Sequence, residues 1–112
     1  MEVKELGKIT NVSFGLCGYQ DCCIGIKFTL EGKGWGVCDE KSGWDANLIK
    51  CTDRCKWTEE DRSESYNKII RCISNLLRDA KVDDISKLKN IPVEVVFDNN
   101  TLKSWSILTE VL

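Results

Sequence analysis

The stretch Val12-Ser13-Phe14-Gly15-Leu16-Cys17-Gly18-Tyr19-Gln20-Asp21-Cys22-Cys23-Ile24-Gly25-Ile26-Lys27-Phe28-Thr29-Leu30 decides how this chain folds. Its second half alternates cleanly, Ile24, Ile26, Phe28 and Leu30 against Gly25, Lys27 and Thr29, which is the period-two pattern of a strand with one buried face. The first half alternates less perfectly, with Ile9, Val12, Phe14 and Leu16 apolar along a strand that the pattern extends from Val3 to Cys17. A five-residue loop, Gly18 to Cys22, is the length that keeps the two faces consistent. It sets Cys17 opposite Cys23, Leu16 opposite Ile24, Phe14 opposite Ile26 and Val12 opposite Phe28, so that every apolar pair faces the same way. A four-residue loop would put Leu16 opposite Cys23 and break that agreement.

Further along, Glu31-Gly32-Lys33-Gly34 reads as a tight turn into a third strand, about Trp35 to Cys38, completing an antiparallel meander. Asp39 to Lys56 is rich in Lys, Asp, Ser, Gly and Asn with little periodicity and reads as a long surface loop. Thr58 is a good N-cap, Glu59, Glu60 and Asp61 put negative charge on a first helical turn, and Asp61 completes a capping box. Tyr66, Ile69, Ile70, Ile73, Leu76, Leu77 and Ala80 then follow at helical spacing within an arc of about 120°, which predicts five or six helical turns with one buried stripe. Cys72 sits at its margin. Val82 to Leu88 predicts one more short helical segment, ended before Pro92. Pro92 to Phe97 and Leu102 to Leu108 form a last hairpin about Asp98-Asn99-Asn100-Thr101, whose two asparagines tolerate positive φ. The expected fold is α+β: a single domain over residues 1–112 with an antiparallel sheet of about five strands, in the order β-β-β-α-α-β-β, and one long helix packed on one face.

Composition excludes more than it assigns. The chain has 112 residues, seven cysteines and no histidine. Without histidine there is no Ser-His-Asp triad, no Cys-His pair and no HExxH metal site. Lys plus Arg number 16 against 18 Asp plus Glu, so broad phosphate neutralisation, and with it direct nucleic-acid binding, is not expected. The start has no apolar signal-peptide region and no run approaches a membrane span, so a cytoplasmic protein with no membrane partner is expected. Seven cysteines cannot all pair internally, and in a reducing compartment most are free thiols or metal ligands.

The candidate metal ligands are Cys38, Cys51 and Cys55, gathered on or beside the long loop, with Cys17 or another thiol or carboxylate as the fourth. Three thiolates suit a structural Zn²⁺ that would clip such a loop. The spacing Cys51-x3-Cys55 is looser than a C-x2-C pair, so free surface thiols or a disulfide remain as alternatives, and no cofactor is certain. Cys17 and Cys23, opposed across the hairpin, are near enough to share a metal or, with strain, to join; packing as two small residues is the other reading. Gly32-Lys33-Gly34-Trp35-Gly36 imitates a phosphate loop, but a strand follows it where a nucleotide loop needs a helix N-terminus. The glycines are better explained as leaving the strand flat for a Trp or the helix to approach. Trp57 and one of Trp35 and Trp105 are expected in the core. Trp44, in the charged loop, is the candidate exposed anchor for a partner, with Asp39, Glu40 and Asp45 beside it; the alternative is that it folds back to pin its own loop. Residues 39–64 hold eight acidic and five basic side chains, which reads as ordinary solvated surface or, alternatively, as a patch facing a basic groove on a protein partner.

Gly32 to Cys38 (GKGWGVC) and Val82 to Phe97 (VDDISKLKNIPVEVVF) resemble a family of small bacteriophage and prophage proteins. In these a Gly-rich aromatic strand is followed by a helix and a closing segment of the type v-x-d-x-L-k-g-x-P-V-x-V. The matching positions are Val82, Asp84, Leu88, Lys89, Pro92, Val93 and Val95, with Asn90 where the family usually has glycine. The resemblance covers about a fifth of the chain and brings no catalytic residues. It implies a mobile-element origin and, by association, a non-enzymatic antagonist of host defence, of which an anti-CRISPR protein binding a Cas effector is the leading form. The rival expectations are a sponge for a small nucleotide signal, stacking a base on tryptophan, and a small zinc-binding protein with metal-dependent activity. Nothing in the sequence specifies an oligomeric state.

Overall fold

The alternation around residues 12–30 does what its register demands. In the computed structural model, which describes residues 1–18, 22–44 and 58–111, strand β1 (Glu2–Cys17) and strand β2 (Cys23–Gly32) pair antiparallel. Cys17 lies opposite Cys23, Leu16 opposite Ile24, Phe14 opposite Ile26 and Val12 opposite Phe28. A bulge between Ile9 and Asn11 shifts the ladder by one residue, which lets one long strand keep both Ile9 and Val12 on the inner face. Thr10, the extra residue, donates its hydroxyl to Thr29 O at 3.3 Å.

Strand β3 (Trp35–Trp44) pairs with β2 along its whole length, from Gly32 opposite Trp35 to Cys23 opposite Trp44. This corrects the sequence expectation of a loop beginning at Asp39. Asp39 to Trp44 carry no strand pattern because β3 is an edge strand, where charged residues are usual and the ladder to β2 rather than apolar alternation holds the backbone extended. Helix α1 (Glu59–Ala80) begins with the expected capping box: the Asp61 amide donates to Thr58 Oγ1 and the Thr58 amide to Asp61 Oδ2, both at 3.1 Å. A cap of this kind is worth about 1 kcal/mol. Lys81, in the left-handed region at φ 60, ends the helix. The second helical segment is a single 3-10 turn, Ile85–Leu88, started by Asp84, whose side chain accepts from the Ser86 amide. Strands β4 (Pro92–Asp98) and β5 (Thr101–Ile107) turn through Asn99 at φ 51 and Asn100 at φ 66. Asn90, where the resembled pattern carries glycine, also sits at positive φ, 72°.

The five strands form one antiparallel sheet in the order β3-β2-β1-β4-β5, and with the single long helix the class is α+β. The sheet is curled. Although β3 and β5 are its two edges, Trp105 on β5 donates its indole N–H to Asp39 Oδ2 on β3 at 2.6 Å and meets Phe28 edge-on at 5.1 Å. Ile9, Ile26, Phe28, Leu30, Leu88, Val93, Val95 and Ile107 form the core together with Ile69, Leu76 and Ala80 of α1. Each fully buried aliphatic or Phe side chain here contributes about 1.5–3 kcal/mol. Tyr66, Ile73 and Leu77 of the expected stripe are half-buried, whereas Ile70 is 62% exposed; it lies about 100° round the helix from Ile69, beyond the buried arc. Both Trp35 and Trp105 pack against the core. Trp57 lies outside the described residues.

The glycine-rich turn serves packing. Gly7, Gly32 and Trp35 form one row across β1, β2 and β3, and the indole of Trp35 lies flat over both glycines. A Cβ at Gly32 would come within 2.4 Å of Trp35 Cε2, and one at Gly7 within 2.8 Å of Trp35 Cη2. Gly34, at φ 80, makes the turn itself. Gly32→Ala is therefore expected to push the indole from its seat and lower stability by about 1–3 kcal/mol, read as a lower urea midpoint and a shifted tryptophan emission; an unchanged midpoint would show that Trp35 is not held there.

Candidate functional site

Gly43 is the point where α1 crosses β3: a Cβ there would meet Ser65 Cβ and Tyr66 Cε1, each at 2.9 Å. Next to this crossing the Tyr66 hydroxyl donates to Trp44 O at 3.1 Å, and Arg62 Nε donates to the Tyr66 hydroxyl at 3.0 Å. The Arg62 guanidinium lies 5.8 Å from the Trp44 ring and 5.1 Å from the Tyr66 ring, a cation-π arrangement. Trp44 is consequently buried, 5% exposed, and is not the exposed anchor expected of it. The sequence signal misled because Trp44 was assigned to a loop, whereas it ends a strand beneath the first turns of the helix.

Asp39, Glu40 and Trp44 were expected together on one partner-binding loop. β3 separates them instead. Asp39 shares the inner face with Lys41, whose Nζ is 3.9 Å from Asp39 Oδ2, and accepts the Trp105 N–H. Glu40 points the other way, toward Cys17 and Ser42 on the outer face. Asp45 lies outside the described residues.

Between β3 and α1 runs a groove of about 710 Å³, with Ile69, Cys72 and Leu76 at its floor and Lys41, Lys68 and Arg71 along its rim. It continues toward β5 as a smaller hollow of about 310 Å³ that shares Lys41, Cys72 and Leu76 and reaches Lys103 and Trp105. Burial pushes the Cys72 thiol up, against the nearby Lys41 ammonium, so Cys72 is an uncharged floor residue. Sequence reasoning placed Cys72 at the helix margin but missed the groove, because its other wall lies in the stretch taken for a loop. A second hollow, of about 690 Å³, opens at the other end of the curl between Lys33, Trp35, Val37, Phe97 and the Asn99-Asn100 turn, with Trp35 and Phe97 edge-to-face at 5.3 Å.

Of the expected metal ligands, Cys38 and Cys17 are among the described residues. Cys38 is exposed on β3, its sulfur 3.8 Å from Thr29 Oγ1. Cys17 belongs to the row of Cys23 and Trp44, six residues further along β3, or about 20 Å at strand spacing, so one ion cannot take both Cys17 and Cys38. Cys51 and Cys55 lie outside the described residues. Among the described residues no three His, Cys, Asp or Glu side chains converge to hold a metal ion. Cys22 and Cys23 do bring their sulfurs to 3.6 Å. Burial, with Glu40 beside it, pushes the Cys17 thiol up to about 11, and burial followed by Cys22 raises Cys23.

No known protein family, curated protein or solved structure matches this chain. No helix among the described residues is long and apolar enough to cross a membrane.

The geometry orders the thiols by reactivity. With its pKa moved from 9.0 to about 11, Cys17 holds about a hundredfold less thiolate at pH 8 than an unshifted thiol. Iodoacetamide at pH 8, followed by peptide mass mapping, is expected to label the exposed Cys38 well before Cys17, and equal labelling would refute the half-buried, carboxylate-facing placement of Cys17.

Proposed function

We propose that this chain is a phage-encoded, non-enzymatic binding protein that acts in the bacterial cytoplasm by occupying a protein surface of a host-defence complex, a Cas effector first among the candidates. The groove between β3 and α1 carries this reading. An apolar floor bounded by Lys41, Lys68 and Arg71 has the anatomy of a protein interface, a desolvated centre inside a charged rim that sets specificity and on-rate. In this reading α1 lies over the inner face of the curled sheet and presents Lys68 and Arg71 beside the β3 edge. The partner class rests on the sequence resemblance, to which Asn90 adds support: the left-handed backbone there is the conformation that glycine takes most easily and asparagine next.

Co-elution with a purified Cas effector, and the target cleavage of that effector with and without this protein, test the reading. Binding with reduced cleavage is expected, and Lys68→Glu combined with Arg71→Glu should weaken it at least about tenfold. The absence of both co-elution and loss of cleavage would sink it.

A second reading, a sponge for a small nucleotide signal, is favoured by the hollow beside Trp35 and Phe97, where Lys33 and the Asn99-Asn100 turn supply a cation and amides next to aromatic faces. Calorimetric titration with cyclic dinucleotides is expected to give heat that Lys33→Glu removes if this hollow is the site; no heat with the wild type excludes that reading.

A further inference from the structure

Among the described residues, the central strand has partners on both flanks only from Gly7 to Ile9; Glu2 to Leu6 pair with β4 alone and Asn11 to Cys17 with β2 alone. β4 pairs with β1 from Glu2 to Lys8, and the last contacts on that side are the Ile9 amide to Ile91 O at 3.0 Å and the Asn90 amide to Ile9 O at 2.6 Å. Beyond the bulge at Thr10, residues Asn11 to Cys17 pair with β2 on one side and, among the described residues, with no strand on the other. Among the described residues this is an open edge in the middle of the sheet.

Its composition runs against what an edge facing water needs. Exposed edges are normally protected by charge, proline or a bulge that turns them away. The other end of β1, Glu2 to Leu6, is open on its β2 side and carries Glu2, Lys4 and Glu5, whereas Ile9 to Gly18 carries no charge and no proline in a chain that is 30% charged. The edge strands β3 and β5 both carry charge, Asp39, Glu40 and Lys41 on the one and Lys103 on the other. On the open segment Phe14 is 48% and Leu16 is 55% exposed, on the face that continues the core.

We infer that this edge pairs with the same edge of a second copy of the chain, antiparallel about a two-fold axis through Phe14. The segment is self-complementary in that register. Phe14 meets Phe14, Val12 meets Leu16, Ser13 meets Gly15 and Asn11 meets Cys17, so apolar side chains meet apolar ones on the inner face and small or polar ones meet on the outer. No like charges are brought together, and the two five-stranded sheets join into one. Antiparallel pairing of identical strands is the isologous contact that a two-fold dimer requires.

Sedimentation equilibrium of the full chain under reducing conditions, up to about 0.1 mM, reads the assembly directly. The wild type is expected at twice the 12.7 kDa chain mass. Phe14→Lys and Phe14→Glu are each expected to sediment as monomers, because each puts two like charges at cross-strand distance. A mixture of the two is expected to regain the dimer mass, and this recovery also shows that both variants are folded. Ile70→Lys, on the exposed side of α1, is expected to leave the dimer intact. A monomeric wild type would overturn the inference and point to a different occupant of the edge, and so would a dimer that survives Phe14→Lys. Dimer loss in Ile70→Lys with none in Phe14→Lys would place the contact on the helix instead.

Discussion

The hydrogen bond from Trp105 Nε1 to Asp39 Oδ2 joins the last strand of the sheet to the third, and these two strands are its opposite edges. That closure defines the molecule. A flat five-stranded sheet with a helix on it would need only one apolar face. A curled one wraps that face around Phe28, Val93 and Val95, all fully buried, and leaves α1 to supply Ile69, Leu76 and Ala80 to the same core. The groove between β3 and α1 follows from the curl, since it runs along the seam where β3, α1 and β5 approach without merging.

The curl also assigns the small residues. Gly7 and Gly32 give Trp35 a flat floor at one end of the sheet, and Gly43 lets α1 come down onto β3 at the other. Between these ends the inner face carries large side chains. The aromatic residues therefore sit where the backbone is bare, and each end of the curl is closed by an indole, Trp35 at one and Trp44 at the other.

Much of this was legible in the sequence. The register of β1 and β2 followed from alternation, because a shift of one residue would have turned an apolar set outward. The capping box of Thr58 and Asp61 and the Asn99-Asn100 turn were readable because each is a local motif with its own hydrogen bonds or backbone angles. What was not legible was held by non-local pairing. Asp39 to Trp44 read as a loop because an edge strand needs only its ladder to β2, and the placing of Asp39 and Glu40 on opposite faces of β3 followed from that. The groove was hidden for the same reason. A metal site shared by Cys17 and Cys38 failed on distance, which spacing along a chain does not reveal until the strands are laid side by side.

The order of the strands bears on how the chain acquires this structure. β1 is the central strand, and its first half pairs with β4, so that Glu2 lies opposite Asp98. During synthesis β1, β2 and β3 emerge first and can close as a meander of local contacts. The outer flank of residues 2–8 then waits until nearly the whole chain has been made. Pairing of such high sequence separation is slow, and an unpaired flank in the meantime is a place where chains associate wrongly. The charges at Glu2, Lys4, Glu5 and Lys8, which have no part in the finished core, fall on a segment that stays bare until β4 arrives, where they keep nascent chains apart.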